Sequence, residues 1–194
     1  MHKDLLVGEI AGWRLFDVPL IPPYLLRSTV VPYVWVPGSN TAMCFRGPLT
    51  FGTAQWEQES SWKPLCESYA SHRCGLYAMK DVYRALPDPS PHSNAIPVRY
   101  GSPTVLAQVS LWGRILEGRV GYRAQFAKVV AIGPNPRTVA PVPDAAFQAL
   151  ALQYDAPILT IEEIQNAYWE AAERNRSLAD NGTDLSTGAD HGSQ

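Results

Sequence analysis

Between Val105 and Phe126 the chain alternates apolar and polar residues with a period of two, and few architectures accept that pattern. Val105, Ala107, Val109, Leu111 and Ile115 alternate with Gln108, Ser110 and Arg114, and Val120, Tyr122, Ala124 and Phe126 alternate with Arg123 and Gln125. Successive side chains of a strand point to opposite faces, so each run reads as a strand with one face on a core. Glu117-Gly118-Arg119 lies between the runs and supplies the turn of an antiparallel hairpin.

Upstream, residues 6–18 read as a first strand that Pro19 ends. Residues 25–36 are rich in β-branched and aromatic side chains but contain Pro32, which confines them to an edge or bent strand. Pro37-Gly38-Ser39-Asn40 signals a turn. Apolar spacing at Leu76, Met79, Tyr83 and Leu86 predicts a short amphipathic helix over 76–86, stopped by Pro87, Pro89 and Pro91. From Pro141 the pattern becomes helical, with Asp144 as a candidate cap for 145–154. Thr160-Ile161-Glu162-Glu163 has capping-box spacing, and the stripe Ile161, Ile164, Tyr168, Ala171 and Leu178 follows it.

Seventeen prolines and 14 glycines beside six tryptophans and nine tyrosines fit short strands and rigid turns better than a helical bundle. Sixteen basic and 18 acidic residues, for a net charge of -2, argue against a protein held mainly by phosphate neutralisation. No long apolar run precedes Glu9, so a signal peptide is not expected, and no stretch has the length of a transmembrane helix. Three cysteines without a secretion signal point to a reducing, cytoplasmic compartment.

All three cysteines fall near one histidine: Cys44, then Cys66, His72 and Cys74. Three thiolates and one imidazole are an accepted tetrahedral set for structural zinc. Such a site would pin the stretch 47–71, which lacks clear periodicity. The spacing His72-Arg73-Cys74 is tighter than the usual Cys-x2-Cys knuckle. The alternative is that the cysteines are small buried apolar residues and His72 a surface imidazole. Cys74 ahead of a helix, with His72 as its base, would also serve as an activated nucleophile.

Other catalytic signatures are missing from the sequence: no Gly-x-Ser-x-Gly elbow, phosphate loop, dinucleotide glycine pattern or His-Glu-x-x-His. Arg114, Glu117, Arg119 and Arg123 cluster around the hairpin end, where weak ion pairs on a solvated turn are the simplest reading. A nucleic-acid-binding module would instead use Trp56, Trp62, Arg73, Arg114 and Arg123 for stacking and phosphate contact.

The pieces Gly8-Glu9-Ile10-Ala11-Gly12-Trp13-Arg14, Cys74-Gly75-Leu76-Tyr77-Ala78, Val109-Ser110-Leu111-Trp112-Gly113-Arg114 and Gly121-Tyr122-Arg123-Ala124 together resemble an uncharacterised family of actinobacterial and actinobacteriophage proteins. The resemblance spans roughly residues 8–130 and implies a bacterial or phage context, with no activity to carry over. The family pattern has a cysteine at the position of Cys44 and Cys-x-Cys-Gly where this chain has His72-Arg73-Cys74-Gly75, which implies an exchange of ligand type within a zinc site.

The expectation is an α+β fold: a small twisted antiparallel sheet or partial barrel with a metal-pinned loop, one short internal helix and a C-terminal helical pair. Residues 1–140 form the β-rich domain with the zinc site (Cys44, Cys66, His72, Cys74), 141–178 a helical extension packed on it, and 179–194 a disordered tail. The expected function is non-enzymatic protein binding, as a phage-encoded accessory factor acting on a host protein. Trp56, Trp62, Arg114 and Arg123 are the candidate binding residues. Nucleic-acid binding and an enzyme centred on Cys74 and His72 are the alternatives.

Overall fold

The computed structural model describes residues 3–5, 8–29, 33–45, 62–64, 75–86, 103–138 and 140–182. In chain order they form β1 (Lys3–Leu5), β2 (Ile10–Asp17), β3 (Arg27–Ser28), β4 (Asn40–Thr41), β5 (Met43–Phe45), β6 (Trp62–Pro64), β7 (Leu76–Met79), α1 (Val82–Ala85), β8 (Thr104–Glu117), β9 (Gly121–Pro134), α2 (Asp144–Tyr154) and α3 (Ile161–Gly182). The fold is α+β with an antiparallel sheet, as the sequence pattern implies.

The long hairpin β8–β9 is the spine. Gly118 donates its N–H to the Gly121 carbonyl at 2.8 Å and closes the turn over residues 118–120. The free edge of β8 takes β2 and then β1, while the free edge of β9 takes β7 and β4. β2 and β7 meet at Trp13 and Met79, so the pairing runs β8, β2, β7, β9 and back to β8 as a closed circuit. Closing a sheet of so few strands demands a sharp bend. It occurs at Gly113, where φ is +79° and the β8–β9 register shifts between Trp112 and Ile115. A Cβ there would sit 3.0 Å from Phe126 Cε2 and closer still to Cδ2, so glycine serves both the bulge and the close approach.

The spine is buried on two faces rather than one. Val105, Ala107, Val109, Leu111 and Ile115 join Phe16, Leu26, Trp35, Phe147, Leu150 and Tyr154 in the main core. Leu106, on the opposite face of β8, packs with Leu15, Val82, Ala85, Leu86 and Ile164 in a second core that α1 and α3 cover. β9 runs eight residues past Phe126; Val129, Ala131 and Ile132 are buried there, and Ile132 exchanges backbone hydrogen bonds with Pro157 and Leu159 of the connection between α2 and α3. The C-terminal helices therefore complete the sheet's cores.

Four further expectations require correction. Residues 76–86 are not one helix: Leu76 and Ala78 are buried in β7 against Ala124 and Tyr122 of β9, and only 82–85 are helical. The spacing of Leu76, Met79, Tyr83 and Leu86 fits a helix locally, but pairing with β9 satisfies the 76–79 backbone better than an exposed helical turn would. Within the unpatterned stretch 47–71, Trp62–Pro64 pairs with Met43–Phe45 as a separate two-stranded sheet. Asp144 is the first helical residue and Pro143 occupies the cap without a side-chain bond. Finally, α3 continues through Gly182, beyond the expected boundary at 178, and residues 183–194 of the expected tail lie outside the described residues.

The Thr160 capping box forms as its spacing requires. Thr160 N–H donates to Glu163 Oε2 at 2.7 Å, and Glu163 N–H donates to Thr160 Oγ1 at 3.1 Å. Among the described residues no helix is long and apolar enough to cross a membrane.

Candidate functional site

α3 approaches β9 at Gly133, where a Cβ would collide with Ile164 Cδ1 and lie 3.1 Å from Leu159 Cβ. This approach seats the fully buried Ile164 and sets which residues of α3 face outward. A polar clamp fixes the helix to α1. Asp81 caps α1 by accepting from Arg84 N–H at 2.8 Å, and its other oxygen pairs with Arg84 Nε at 3.2 Å and accepts from Asn175 Nδ2 at 3.3 Å. Arg84 Nη2 donates to Asn175 Oδ1, and Asn175 Nδ2 also donates to the Ala171 carbonyl at 2.7 Å.

Above this clamp is a groove of about 400 Å³ lined by Tyr83, Tyr168, Trp169, Ala172, Asn175 and Arg176. Tyr83 and Tyr168 rings lie 5.2 Å apart, and Trp169 meets Tyr168 edge to face at 5.3 Å. Arg137 braces Tyr168 from behind, its guanidinium carbon 5.0 Å from the ring centroid and Nη2 donating to the phenol at 2.8 Å. Trp169 remains 61% exposed and Tyr83 43% exposed. The amide of Asn175 is spent inside the clamp, so the groove offers an incoming surface aromatic faces and the Arg176 cation. No pair of lining side chains forms a nucleophile and its base; the lining suits contact.

A second polar feature holds the barrel seam. Gly12 lets β7 approach so closely that a Cβ there would lie 2.7 Å from Ala78 Cβ. Two positions along, Arg14 Nη1 donates to the Tyr77 carbonyl and Nη2 to Ser28 Oγ, tying β2 to β7 and β3. Its guanidinium carbon lies 5.4 Å from the Phe16 ring centroid and 5.3 Å from that of Trp35. Arg14 Nε and Trp35 Nε1 are buried and have no partner among the described residues. Burial pushes the Arg14 guanidinium down to about 10, opposed by Tyr77, and leaves it charged at neutral pH.

Of the metal ligands expected from the sequence, Cys44 lies in β5 opposite Lys63. Cys66, His72 and Cys74 lie outside the described residues, as does Trp56. Trp62 lies in β6 opposite Phe45. Arg114 sits exposed at the β8 bulge, its N–H donating to Gln125 Oε1 at 3.4 Å, whereas Arg123 stands opposite Leu116 with its guanidinium 6.0 Å from the Tyr77 ring centroid. Glu117 of the same charged cluster pairs with Lys80 at 2.6 Å. The element after Gly75 is a strand, so a helix N-terminal dipole acting on Cys74 has no basis here.

Sequence reasoning missed Tyr83 and Trp169 as site residues. Trp169 carried a usable signal, since it falls outside the stripe of Ile164, Tyr168 and Ala171 and so is directed away from the core. Comparison with protein-family models, curated proteins and solved structures found no match.

Proposed function

We propose that the chain is a protein-binding module whose docking face is the Tyr83, Tyr168 and Trp169 surface of α1 and α3. One observation carries the reading: a tryptophan 61% exposed on a helix that Asn175 ties to α1, beside two tyrosines, over a groove whose polar floor is already hydrogen-bonded within the chain. Tryptophan, tyrosine and arginine dominate binding energy at interfaces, and a preorganised helix loses little entropy on docking. The resemblance to actinobacterial and actinobacteriophage proteins extends the proposal to a cytoplasmic, phage-encoded factor acting on a host protein. In the same reading Cys44, Cys66, His72 and Cys74 hold a structural zinc that pins the loop between them.

Nucleic-acid binding is less well supported. Of the arginines named for phosphate contact, Arg123 lies with its guanidinium carbon 6.0 Å from the Tyr77 ring centroid.

A benzophenone side chain at Gln165, one turn before Trp169, tests the docking face. A discrete protein adduct on irradiation in cells, lost with Trp169→Ala, is the expected result. Irradiation that yields no protein adduct would overturn the reading.

A further inference from the structure

Resting on that docking-face reading, we infer that the protein seated on the face is a second copy of this chain, bound through α3 in antiparallel orientation about a two-fold axis at Trp169. The 22-residue helix turns Ile164 and Ala171 into the protein, and leaves Glu162, Gln165, Asn166, Trp169, Glu173 and Arg176 exposed. Glu162, Trp169 and Arg176 recur at intervals of seven residues, the spacing that keeps one seam of a helix facing a partner helix.

Charge along this seam is antisymmetric about its centre. Seven residues before Trp169 stands an acid, and seven after it a base, each about 10.5 Å away along the axis. Neither Glu162 nor Arg176 has an ion-pair partner among the described residues. An antiparallel two-fold therefore sets Glu162 of each copy against Arg176 of the other, with the two Trp169 rings meeting at the axis. Gln165 of each copy then meets Glu173 of the other, and the small Ala172 next to Asn166 leaves room for the indoles. A parallel pair would instead oppose Glu162 to Glu162 and Arg176 to Arg176. The pattern selects the isologous antiparallel arrangement, which closes on itself as a dimer.

The roles divide accordingly. Exposed ion pairs add little affinity but fix orientation, so Trp169 carries the binding and the charges carry the register. The groove beside Trp169, lined by Tyr83, Tyr168 and Arg176, is continuous with the seam and widens the contact beyond the helix pair.

Sedimentation equilibrium of the full chain, at concentrations from 1 to 100 µM on the order of common protein–protein dissociation constants, tests the proposal. The expected result is a mass approaching twice 21.4 kDa. Association should weaken at least tenfold in Trp169→Ala, Glu162→Arg and Arg176→Glu, and the Glu162→Arg/Arg176→Glu double variant should regain the dimer. Far-UV circular dichroism and the melting midpoint establish that each variant is folded, and recovery in the double variant separates lost complementarity from lost structure. A dimer indifferent to all three single changes, or a double variant as weak as its parents, would overturn the inference. A monomer at the highest concentration would also overturn it. If that monomer still gives the Trp169-dependent adduct with another protein, the docking face survives, whereas no adduct of either kind removes both.

Discussion

The Tyr154 phenol donates its hydrogen to the Trp35 carbonyl at 2.5 Å and accepts the Leu26 N–H at 2.9 Å. One hydroxyl from the end of α2 thus satisfies two backbone groups on either side of β3, one just before it at Leu26 and one after it at Trp35, within the main core. Tyr154→Phe leaves a buried amide and a buried carbonyl short of a partner while preserving the ring. A loss of about 1–3 kcal/mol in a urea unfolding series is expected.

The same phenol makes stability fall at alkaline pH. Burial pushes Tyr154 above the ordinary tyrosine value, with the Leu26 N–H acting in the opposite direction, and burial raises Tyr33 as well. The unfolded chain then releases these protons first, so the contribution is complete below about pH 10 and is lost as pH rises through the folded value. The urea midpoint should decline between pH 9 and 11.5, over about the range where tyrosine titrates, and decline less steeply in Tyr154→Phe.

At the start of α3 the sign is reversed. Hydrogen bonds from the Thr160 N–H and hydroxyl hold the Glu163 carboxyl below its ordinary value. The stability it contributes is present above the unfolded value and is lost as pH falls through the depressed folded one. Thr160→Ala should cost about 1 kcal/mol at neutral pH and flatten the acid limb of the stability curve.

Gly133 and Ile164 should behave as a coupled pair. Gly133→Ala drives a Cβ into the fully buried Ile164 side chain and should cost about 1–3 kcal/mol. Ile164→Val alone costs about 0.5–1.5 kcal/mol. In the double variant the smaller side chain accommodates the new methyl, so the combined loss should be less than the sum of the two. Denaturant unfolding of the four proteins measures that difference.

For the proposed zinc, elemental analysis of the untagged protein should find near one equivalent. Cys74→Ser should lose both the metal and part of the thermal stability, because a closed structural site contributes folding energy directly. Zinc-free protein with an unchanged melting midpoint in the variant would remove the site.

Arg14→Lys tests the barrel seam. A lysine cannot reach both the Tyr77 carbonyl and Ser28 Oγ in the fork geometry of guanidinium, so the β2–β7 contact loosens. Amide exchange at Trp13 and Met79, the residues that pair β2 with β7, should accelerate before that of β8.

The sequence by itself determined the hairpin over Val105 to Phe126, the Pro37–Asn40 turn and the Thr160 capping box. In each, the controlling interaction lies within a few residues: a period of two, the positive-φ glycine Gly38, and reciprocal bonds between positions 160 and 163. Tertiary structure decided the rest, because its causes are distant in sequence. Leu76 and Ala78 became strand only because β9 offers them a ladder, and Leu106 is buried only because α1 and α3 arrive on its face. Trp169 became a docking candidate once Gly133 had set how Ile164 seats against the sheet. Local patterning specifies which elements can form; contacts between residues far apart in the chain select which edges pair and which faces stay open.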